Sequence, residues 1–499
     1  MSTLKIKKKN HAHITIDGEA STLNELSDFF TFYVPGYKFM PAYRNKMWDG
    51  KIRLFNTQTR ELYAGLYDYI EEFAAVDGRG YKIELEHDAY YGYPNTNQEI
   101  DMGFLHDLTL TSKGDKIEIR DYQRAAIEHG LSRKGSLLLS PTASGKSLII
   151  YCMARYYLAN YNKKILIVVP TTSLVQQMYS DFADYSQYDD GFDESTMHRI
   201  YSGRPKFADH ERIIISTWQS IYKMPGKWFE QFGMVVGDEA HNFKAKSLTS
   251  ILGKLRDAEY RIGTTGTLDG TQTHQLVLEG LFGRIFKVTT TKDLIDKGSL
   301  AELDIKVLLL KYADELCKSM TKTKYQDEVD FIVKYEPRNK FITNLALDQD
   351  GNTLILFQYV EKHGKPLHNM ITEKAHRKRK VFYVSGETDV DTREAIRNIT
   401  ENEKNAIIVA SMGTFSTGIN IRNLHNIIFA SPSKSQIRIL QSIGRGLRKS
   451  DDGRPTTLYD IADDLHWKKN KNFTLNHAAE RIKIYSKEKF KYNIYEIKI

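Results

Sequence analysis

An octapeptide near the end of the first third of the chain carries residues suited to binding phosphate. "SPTASGKS" (140–147) follows the pattern G-x-x-x-x-G-K-[ST], except that Ser140 replaces the first glycine. In such a loop the backbone amides and the following helix N-terminus attract phosphate oxygens. Lys146 would reach the terminal phosphates and the Ser147 hydroxyl would hold Mg²⁺. Taken alone, the stretch also fits a polar turn between a strand and a helix.

An acidic pair lies 92 residues downstream of Lys146. "MVVGDEAH" (234–241) places Asp238 and Glu239 directly after an apolar run. A carboxylate at a strand's end, facing a phosphate-binding loop, can position Mg²⁺ through its waters. A second carboxylate beside it can orient and deprotonate an attacking water. The two stretches together predict hydrolysis of a nucleoside triphosphate.

Alternating apolar and amphipathic stretches indicate the elements that would position these residues. Short buried runs separated by helical patterns predict a parallel α/β sheet. The pattern occurs twice, so the predicted fold class is α/β, with two tandem P-loop-type domains and a small N-terminal α+β domain. The predicted strands are 136–140, 164–170, 212–217, 233–239 and 260–266, then 353–359, 380–386, 405–411, 426–431 and 456–464.

Three domains are predicted: 1–110, 111–290 and 291–499. In the first, Asp49-Gly50 between two candidate strands (46–55) predicts a hairpin. The lysine-rich stretch 291–345 is interpreted as connecting or inserted structure. The basic tail, 465–499, is interpreted as helical.

Composition excludes several classes of protein. The 499 residues include 41% hydrophobic and 27% charged residues, as in ordinary globular proteins, and only two cysteines. Disulfide scaffolds and cysteine-based zinc sites are therefore not expected. No apolar run reaches the length of a membrane span, and no signal peptide is recognised. The expected location is the cytoplasm. The net charge of +8 is mild for this length, so a polyanionic partner must be argued from local clusters.

The motifs and their order resemble those of superfamily 2 DEAH-box helicases. "RDYQ" (120–123) resembles the element that reads adenine, and "GTTGT" (263–267) stands where that family has S-A-T or T-A-T. "PTTSLVQQ" (170–177) and "STWQSI" (216–221) resemble the motifs that touch the nucleic-acid backbone. "SMGTFSTGINI" (411–421) and "QSIGRGLR" (441–448) resemble the motifs of the second domain. The resemblance implies two RecA-like domains and an ATP-dependent motor.

The resemblance also implies roles for individual residues. Lys146, Asp238 and Glu239 would act on ATP, with Arg445 and Arg448 as arginine fingers that stabilise the departing phosphate when the domains close. Mg²⁺ would be held by Ser147 and Asp238, and His241 would couple the ATP and nucleic-acid sites. The nucleotide-binding set is Gln123, Thr142, Ala143, Ser144, Gly145, Lys146, Ser147, His241 and Gly418, and the nucleic-acid-binding set within the core is Thr171, Thr172, Thr217 and Thr414.

Two positions depart from the family's pattern. The family usually has glycine where Ala143 or Ser144 stands, so a stiffer loop is expected. Gly266 replaces the usual alanine, which would loosen the coupling between ATP state and nucleic-acid grip. Neither change removes a charged group.

An N-terminal segment, 34–55, interleaves cations with aromatic residues. Cations suit phosphates and exposed aromatic rings suit unstacked bases, so the segment is predicted to bind DNA. The alternative is that the rings form a small core and the charges a solvated face. The predicted contacts are Lys46, Trp48, Lys51 and Arg53.

Among superfamily 2 proteins, the chain resembles the recombination helicases of T-even bacteriophages. That resemblance implies action on branched DNA, such as forks, Holliday junctions and R-loops, in recombination, repair and replication. The expected cofactors are ATP and Mg²⁺. The expected partner is DNA that is branched or has junctions between single and double strands, together with RNA–DNA hybrids. The expected state is a monomer, and a phage-encoded protein would act in the cytoplasm of the host bacterium. An RNA helicase or duplex translocase with the same core, or a nucleic-acid annealing scaffold with a degenerate ATP site, are alternatives.

Overall fold

A computed structural model describes residues 2–76, 80–86, 99–189, 191–207, 210–244, 246–268, 270–375, 379–416, 421, 423–432, 435–447 and 452–499. Its contacts divide the chain into two compact units, Met1–Ser140 with Gly145–Val288, and Pro141–Ser144 with Thr289–Ile499. Each unit has a hydrophobic core of its own. Across the described residues, no helix combines the length and apolar character needed to cross a bilayer.

The N-terminal region is a four-stranded sheet packed by two helices. Its strands lie in the order β5-β2-β1-β6, and alternating burial along β1 and β2 places one face of the sheet against the core. The elements are β1 (Thr3–Lys8), β2 (His13–Asp17), α1 (Ala20–Phe29), β3 (Thr31–Tyr33), α2 (Pro41–Arg44), β4 (Lys51–Arg53), β5 (Glu61–Tyr63), α3 (Tyr67–Ala75) and β6 (Lys82–Leu85), with 3-10 turns at Tyr37–Phe39, Ala64–Leu66 and Met102–His106 and a short β7 (Thr111–Ser112) and β8 (Asp115–Lys116) pair beyond them.

The first unit also holds a seven-stranded sheet, all of whose pairings are parallel. Its central strands are buried on both faces, as expected for continuous β-branched runs covered by helices. The elements are α4 (Asp121–Arg133), β9 (Gly135–Leu139), α5 (Lys146–Asn160), β10 (Lys164–Val169), α6 (Thr172–Tyr185), β11 (Met197–Ile200), β12 (Ile213–Thr217), α7 (Trp218–Ile221), α8 (Gly226–Phe229), β13 (Phe232–Asp238), α9 (Lys246–Lys254), β14 (Tyr260–Thr265), α10 (Gln272–Phe282) and β15 (Ile285–Lys287), with 3-10 turns at Glu194–Thr196 and Ala240–Lys244.

The second unit repeats this architecture without close sequence similarity. The first sheet has the order β11-β12-β10-β13-β14-β9-β15 and the second β18-β19-β17-β20-β21-β16-β22. Numbered from the first strand of each sheet, both read 3-4-2-5-6-1-7. The elements are α11 (Thr291–Asp296), β16 (Leu303–Lys311), α12 (Asp314–Met320), α13 (Tyr325–Lys334), α14 (Glu336–Asp348), β17 (Thr353–Phe357), a π-helical turn (Val360–Gly364), α15 (Lys365–Ala375), β18 (Val381–Val384), α16 (Val390–Asn402), β19 (Ile407–Ser411), α17 (Met412–Ser416), β20 (Asn426–Phe429), α18 (Gln436–Gly446), β21 (Thr456–Asp464), α19 (Phe473–Lys487) and β22 (Tyr492–Lys498).

These two sheets confirm the predicted α/β class with tandem parallel sheets and a separate N-terminal element. All ten predicted strands are present, each within a few residues of its expected bounds. Apolar runs made most of them recognisable, because a strand buried on both faces carries few polar residues.

Two local predictions were wrong, and a third is confirmed only in part. Asp49-Gly50 does not join two neighbouring strands, because β4 pairs with β3, and residues 37–44 fold into short helical turns between them. Residues 291–345 are not merely connecting structure, since β16 lies inside the second sheet between β21 and β22. The basic tail is helical only over α19, and its last residues form the edge strand β22.

The N-terminal sheet and the first seven-stranded sheet share one hydrophobic core. Helix α10 passes so close to the N-terminal region that a Cβ on Gly65 would lie 2.0 Å from the Glu279 carbonyl oxygen. The Tyr69 hydroxyl donates to the Glu279 carboxylate, and Arg284 pairs with Glu72 in α3. The N-terminal region is therefore a fixed part of the first unit.

Candidate active site

The loop between β9 and α5 is closed by its own hydrogen bonds. The Ser140 amide donates to the Thr265 carbonyl at 2.8 Å, which ties the start of the loop to β14. The Lys146 Nζ donates to the Ser140 carbonyl at 3.2 Å, and the Ser144 Oγ donates to the Pro141 carbonyl at 2.7 Å. The segment 140–147 thus forms the strand–loop–helix arrangement that a phosphate-binding loop requires.

Two residues of this loop have left-handed backbone conformations. Gly145 has φ +81° and Ala143 has φ +65°. Glycine adopts this conformation at little cost, whereas an L-residue with a Cβ is less stable there by about 1–2 kcal/mol. Ala143, one of the two positions at which the resemblance leads us to expect glycine, is therefore strained here.

The Gln123 side chain lies directly beside the loop. A Cβ on Gly145 would come within 2.3 Å of the Gln123 Nε2, so only glycine permits this approach. The Gln123 Oε1 accepts from the Arg120 amide at 2.9 Å, at the N-terminus of α4. The predicted adenine-reading residue is thus buried and fixed next to the phosphate-binding segment.

Asp238 is the last residue of β13, and its carboxylate is buried. The Thr264 Oγ1 donates to its Oδ1 at 2.7 Å from the neighbouring strand, where the two residues are register partners. Burial raises the pKa of Asp238, and the negative charge of Glu239 raises it further. The positive charge of the Lys146 ammonium lowers it. The carboxylate is therefore in a place where an added cation would stabilise its charged form.

The donor chemistry at this edge fits Mg²⁺. The Asp238 carboxylate and the Ser147 hydroxyl are hard oxygen donors, and Mg²⁺ commonly takes one or two protein oxygens and fills its other positions with water and phosphate. Lys146 and Ser147 are the first two residues of α5, which begins at the loop.

The residues after Asp238 are tied to the same neighbouring strand. Glu239 has φ +50°, and its carboxylate oxygen lies 3.4 Å from the His241 Nδ1. The Asn242 Nδ2 donates to the His241 Nε2 at 3.2 Å, so Nδ1 carries the proton and donates to the Thr265 Oγ1 at 3.0 Å. The acidic pair is thus linked to β14 by two threonines.

Sequence reasoning missed the roles of Thr264, Thr265 and Tyr185. The two threonines lie inside "GTTGT", and the register of two parallel strands that end together could have placed Thr264 beside Asp238. Tyr185, whose hydroxyl is 2.8 Å from the Ser147 Oγ, lies in no recognised motif.

The predicted nucleic-acid contacts of the first unit lie at the same edge of the sheet, beyond β10 and β12. Thr172 is exposed at the start of α6, whereas the Thr171 Oγ1 accepts from the Leu174 amide and caps that helix. Thr217 is buried, and its hydroxyl lies 2.9 Å from the Ser220 Oγ. Carboxyl ends of parallel strands thus bring both predicted functions to one edge, with β13, β14 and β9 at the phosphate-binding part.

In the second unit, the predicted site residues are placed only in part. Thr414 is buried in α17, and its hydroxyl lies 2.7 Å from the Ser411 Oγ at the end of β19. Arg445 belongs to α18. Gly418 and Arg448 lie outside the described residues.

The predicted N-terminal contacts surround a turn between α2 and β4. The Trp48 Nε1 donates to the Lys51 carbonyl at 2.8 Å, and the Lys51 ammonium lies over the Tyr33 ring at 5.1 Å. The Arg53 guanidinium donates to Asp49 at 2.5 Å and lowers the pKa of that carboxyl. Lys46 is exposed and has φ +55°.

This N-terminal surface is open and carries exposed rings. Phe39 is 85% exposed and Tyr33 is 53% exposed, whereas Phe55 belongs to the core. A cleft of about 620 Å³ lies beside them. Its lining residues are Lys38, Tyr43, Arg44, Lys46, Met47, Trp48 and Asp49.

Comparison with known proteins places the whole chain in one family. Models of three protein families match: "DNA helicase UvsW, N-terminal" at residues 3–86, "Type III restriction enzyme, res subunit" at 116–270 and "Helicase conserved C-terminal domain" at 337–450. The chain is similar to the ATP-dependent DNA helicase uvsW of Enterobacteria phage T4, with 38% identity over 98% of both chains. It is 25% identical to the DNA 3′-5′ translocase XPB2 of Sulfurisphaera tokodaii, over 71% of this chain and 84% of that protein.

Solved structures agree with the sequence comparison. The crystal structure of T4 UvsW matches over 99% of both chains, with 36% identity and a TM-score of 0.53. The N-terminal match, the two core matches and the identity over nearly the full length all point to the same assignment. The chain belongs to the UvsW family of ATP-dependent DNA helicases, within superfamily 2.

Proposed function

We propose that the chain hydrolyses Mg²⁺-ATP at the carboxyl edge of β9, β13 and β14 and uses the energy to move on branched DNA. The observation that carries this proposal is the buried Asp238 carboxylate at the end of a parallel strand, within the electrostatic influence of the Lys146 ammonium in the proposed phosphate-binding segment. A buried carboxylate with an incompletely balanced charge is costly unless a cation or substrate completes the site.

Each residue at this edge has a distinct task. Lys146 would bind the terminal phosphates, and Ser147 and Asp238 would hold Mg²⁺, which when bound neutralises charge on the phosphate oxygens. Glu239 would orient the attacking water and accept its proton. Gln123, beside Gly145, would contact the base, and the loop residues Thr142, Ala143 and Ser144 would offer backbone amides to phosphate.

His241 is proposed to connect ATP and nucleic acid. Its Nδ1 proton is donated to Thr265, and its ring lies beside the Glu239 carboxylate. A shift of β14 would therefore reorient the proposed base. Arg445 and Arg448 are retained as proposed arginine fingers, and Gly418 and Thr414 as proposed contacts of the second domain.

Branched DNA is proposed as the substrate because the first unit offers two kinds of contact. The edge beyond β10 and β12 suits a strand's backbone, while the N-terminal surface combines cations for duplex phosphates with exposed rings for unpaired bases. Separating base pairs costs about 1.4 kcal/mol per step in stacking, so an ATP-driven motor suits this work. RNA–DNA hybrids are included in the proposed substrates.

The test is an ATPase assay with five cofactor conditions: no nucleic acid, single-stranded DNA, plain duplex, single-stranded RNA and a four-way junction. Glu239→Gln is the matched control, because the amide keeps the size of the side chain but cannot act as a base. We expect the junction to stimulate most and Glu239→Gln to lose about 10²- to 10⁴-fold in rate.

Other outcomes separate the alternatives. Equal or greater stimulation by RNA would favour an RNA helicase, and the greatest stimulation by plain duplex would favour a duplex translocase. A rate that never exceeds the Glu239→Gln background would leave only an annealing scaffold and end the motor proposal.

The N-terminal surface has its own test. Replacing Lys46, Lys51 and Arg53 with Gln should weaken duplex binding and flatten its salt dependence by about 0.9 in the log–log slope for each phosphate that the variant no longer neutralises. Trp48→Ala should instead weaken binding to unpaired strands. The matched control replaces three exposed lysines of the second unit, Lys340, Lys365 and Lys483. If the two triple variants have identical salt slopes, Lys46, Lys51 and Arg53 do not contact DNA phosphates and form only a solvated face.

We further propose the division into domains 1–110, 111–290 and 291–499 and a monomeric state. The family matches at 3–86, 116–270 and 337–450 support the division, since each falls within one proposed domain.

A further inference from the structure

The hydroxyl proposed to hold Mg²⁺ has a tyrosine partner from another helix. The Ser147 Oγ lies 2.8 Å from the Tyr185 hydroxyl. Ser147 is the second residue of α5, and Tyr185 is the last residue of α6. Within the described part of the chain, the Ser147 hydroxyl is thus hydrogen-bonded to a residue of another helix.

The Tyr185 ring is held in place by its neighbours. It packs edge-on against Tyr151, with ring centroids 5.7 Å apart. The Tyr151 hydroxyl bonds to Asp189, whose carboxylate also accepts two hydrogen bonds from Arg155 at 2.7 and 2.9 Å. A tyrosine phenol has an ordinary pKa of about 10 and is neutral at physiological pH.

A neutral phenol suits the needs of a metal-binding serine. A serine hydroxyl that gives a lone pair to a cation must turn its proton away from that cation. The Tyr185 oxygen can accept this proton, which fixes the rotation of the Ser147 hydroxyl before the cation arrives. Groups that orient a metal ligand in this way commonly change metal affinity tenfold or more.

We propose that Tyr185 is a positioning residue for the metal-binding hydroxyl of Ser147. The proposal rests on the proposed function, in which Ser147 is a ligand of Mg²⁺. In this role Tyr185 acts through Ser147 and not on the nucleotide or the metal itself.

The position of Tyr185 at the end of α6 links the proposed metal ligand to a predicted nucleic-acid contact on the same helix. Helix α6 begins after Thr171 and has fourteen residues, so it is about 21 Å long. Its first residue, Thr172, is a predicted nucleic-acid contact, and its last supports the proposed metal ligand. One rigid element thus connects the two.

The test measures nucleotide binding rather than turnover. The dissociation constant of fluorescent ADP is determined for the full chain with excess Mg²⁺ and with EDTA, for Tyr185→Phe, Ser147→Ala and the double variant. Phenylalanine keeps the ring and removes only the hydroxyl. We expect Tyr185→Phe to leave the affinity in EDTA unchanged and to reduce the tightening by Mg²⁺ about three- to tenfold, the size of one hydrogen bond. The Mg²⁺ concentration that gives half-maximal ATPase should rise by a similar factor.

Tyr161→Phe is the matched control. Its hydroxyl lies 3.0 Å from the Tyr260 hydroxyl, in the same unit but in a pair that includes no proposed site residue. Its effect on the Mg²⁺ tightening should be absent. In the double variant, Tyr185→Phe should add nothing to Ser147→Ala, because the interaction is already removed.

The outcomes distinguish this inference from the proposed function. If Ser147→Ala leaves the Mg²⁺ tightening intact, the assignment of Ser147 to the metal fails. If Ser147→Ala weakens it and Tyr185→Phe does not, or if the two effects simply add, only the role of Tyr185 is overturned. An equal loss in EDTA would show a merely structural role and would also overturn it.

Discussion

The two seven-stranded sheets have the same strand order, but the buried carboxylates on their strands have different hydrogen-bond and charge partners. In the second sheet, Asp463 on β21 accepts two hydrogen bonds from Arg338 at 2.7 and 3.0 Å and one from the Tyr312 hydroxyl at 2.7 Å. The two charged side chains are fully buried. In the first sheet, Asp238 on β13 has a threonine hydroxyl and the more distant charge of Lys146 instead.

The same solution appears again in the second sheet. Arg481 of α19 donates to both oxygens of Asp460 at 2.9 Å, and the Tyr485 hydroxyl donates to the same carboxylate. An arginine from a helix thus neutralises each of these strand carboxylates permanently. The comparison separates two kinds of buried acid: those of the second sheet form structural ion pairs with a fixed arginine, whereas Asp238, the proposed ligand of Mg²⁺, has no arginine bound to it in the described residues.

The largest expected effect comes from removing such a fixed cation. Arg338→Met keeps much of the side-chain volume but leaves Asp463 buried without its partner. The free energy of unfolding should fall by about 3–5 kcal/mol, because breaking a buried ion pair leaves an uncompensated charge. Chemical denaturation of the whole chain, followed by circular dichroism, measures this loss.

A second variant sharpens that result. Adding Asp463→Asn to Arg338→Met removes the orphaned charge and keeps an acceptor for Tyr312, so most of the stability should return. A loss below about 1 kcal/mol for Arg338→Met would show that the pair is not what holds β21 and α14 together.

The next largest effect should appear in activity rather than stability. Asp238→Asn keeps an acceptor for Thr264 but removes the charge proposed to hold Mg²⁺. The ATPase rate should fall about 10²- to 10³-fold, or about 2.7–4 kcal/mol, as for loss of a single group that stabilises charge in a transition state.

Stability should respond to Asp238→Asn in the opposite direction. Because the folded-state pKa of Asp238 is raised, its ionised form costs stability at neutral pH. That cost declines as the pH falls through the folded-state pKa and is gone below the unfolded-state pKa. The variant should therefore unfold at the same or a higher temperature at pH 7, with the gain vanishing in acid. A stability loss as large as that of Arg338→Met would contradict the contrast between the two sheets.

The smallest effect concerns the backbone of the phosphate-binding loop. Ala143→Gly should raise the free energy of unfolding by about 0.5–1 kcal/mol, since glycine adopts the left-handed conformation without steric cost. The midpoint of thermal unfolding should rise by about 1–3 °C. Ala125→Gly, at an exposed position inside α4, is the opposing control and should lower it. The same sign for both variants would show that the φ of +65° stores no strain.

The sequence predicted the parts of the fold that repeat a simple pattern. Most of the predicted core strands contain an apolar run such as ILIVV in β10 or LILF in β17, and such runs are recognisable without a structure. Strand β22 was missed because it is an edge strand with exposed Ile494 and Tyr495 and flanking charges, so it has no buried pattern to detect. The stretch containing β16 was misread because its lysines lie on partly exposed positions beside buried leucines.

At the candidate site, too, only residues that lie in a local sequence pattern could be predicted. Lys146, Asp238 and Glu239 could be proposed from the sequence because their spacing to strands and glycines is set by the chemistry of phosphate. Tyr185 was not, since it reaches Ser147 from the far end of a helix, 38 residues away in the chain. Such a contact depends on how α5 and α6 pack, and no local pattern encodes that packing.

The shared core of the N-terminal sheet and the first seven-stranded sheet bears on how such a protein can be altered. Leu66, Phe73 and Phe282 belong to one apolar cluster. At position 65 only glycine can pack against the backbone of α10, because a Cβ there would collide with it. Cutting the chain after residue 110 would expose this cluster to water, so the remaining motor should aggregate rather than work alone. An exchange of N-terminal regions between relatives would therefore have to include α10. The N-terminal region forms one side of a packed interface, so it cannot be removed without exposing the other side.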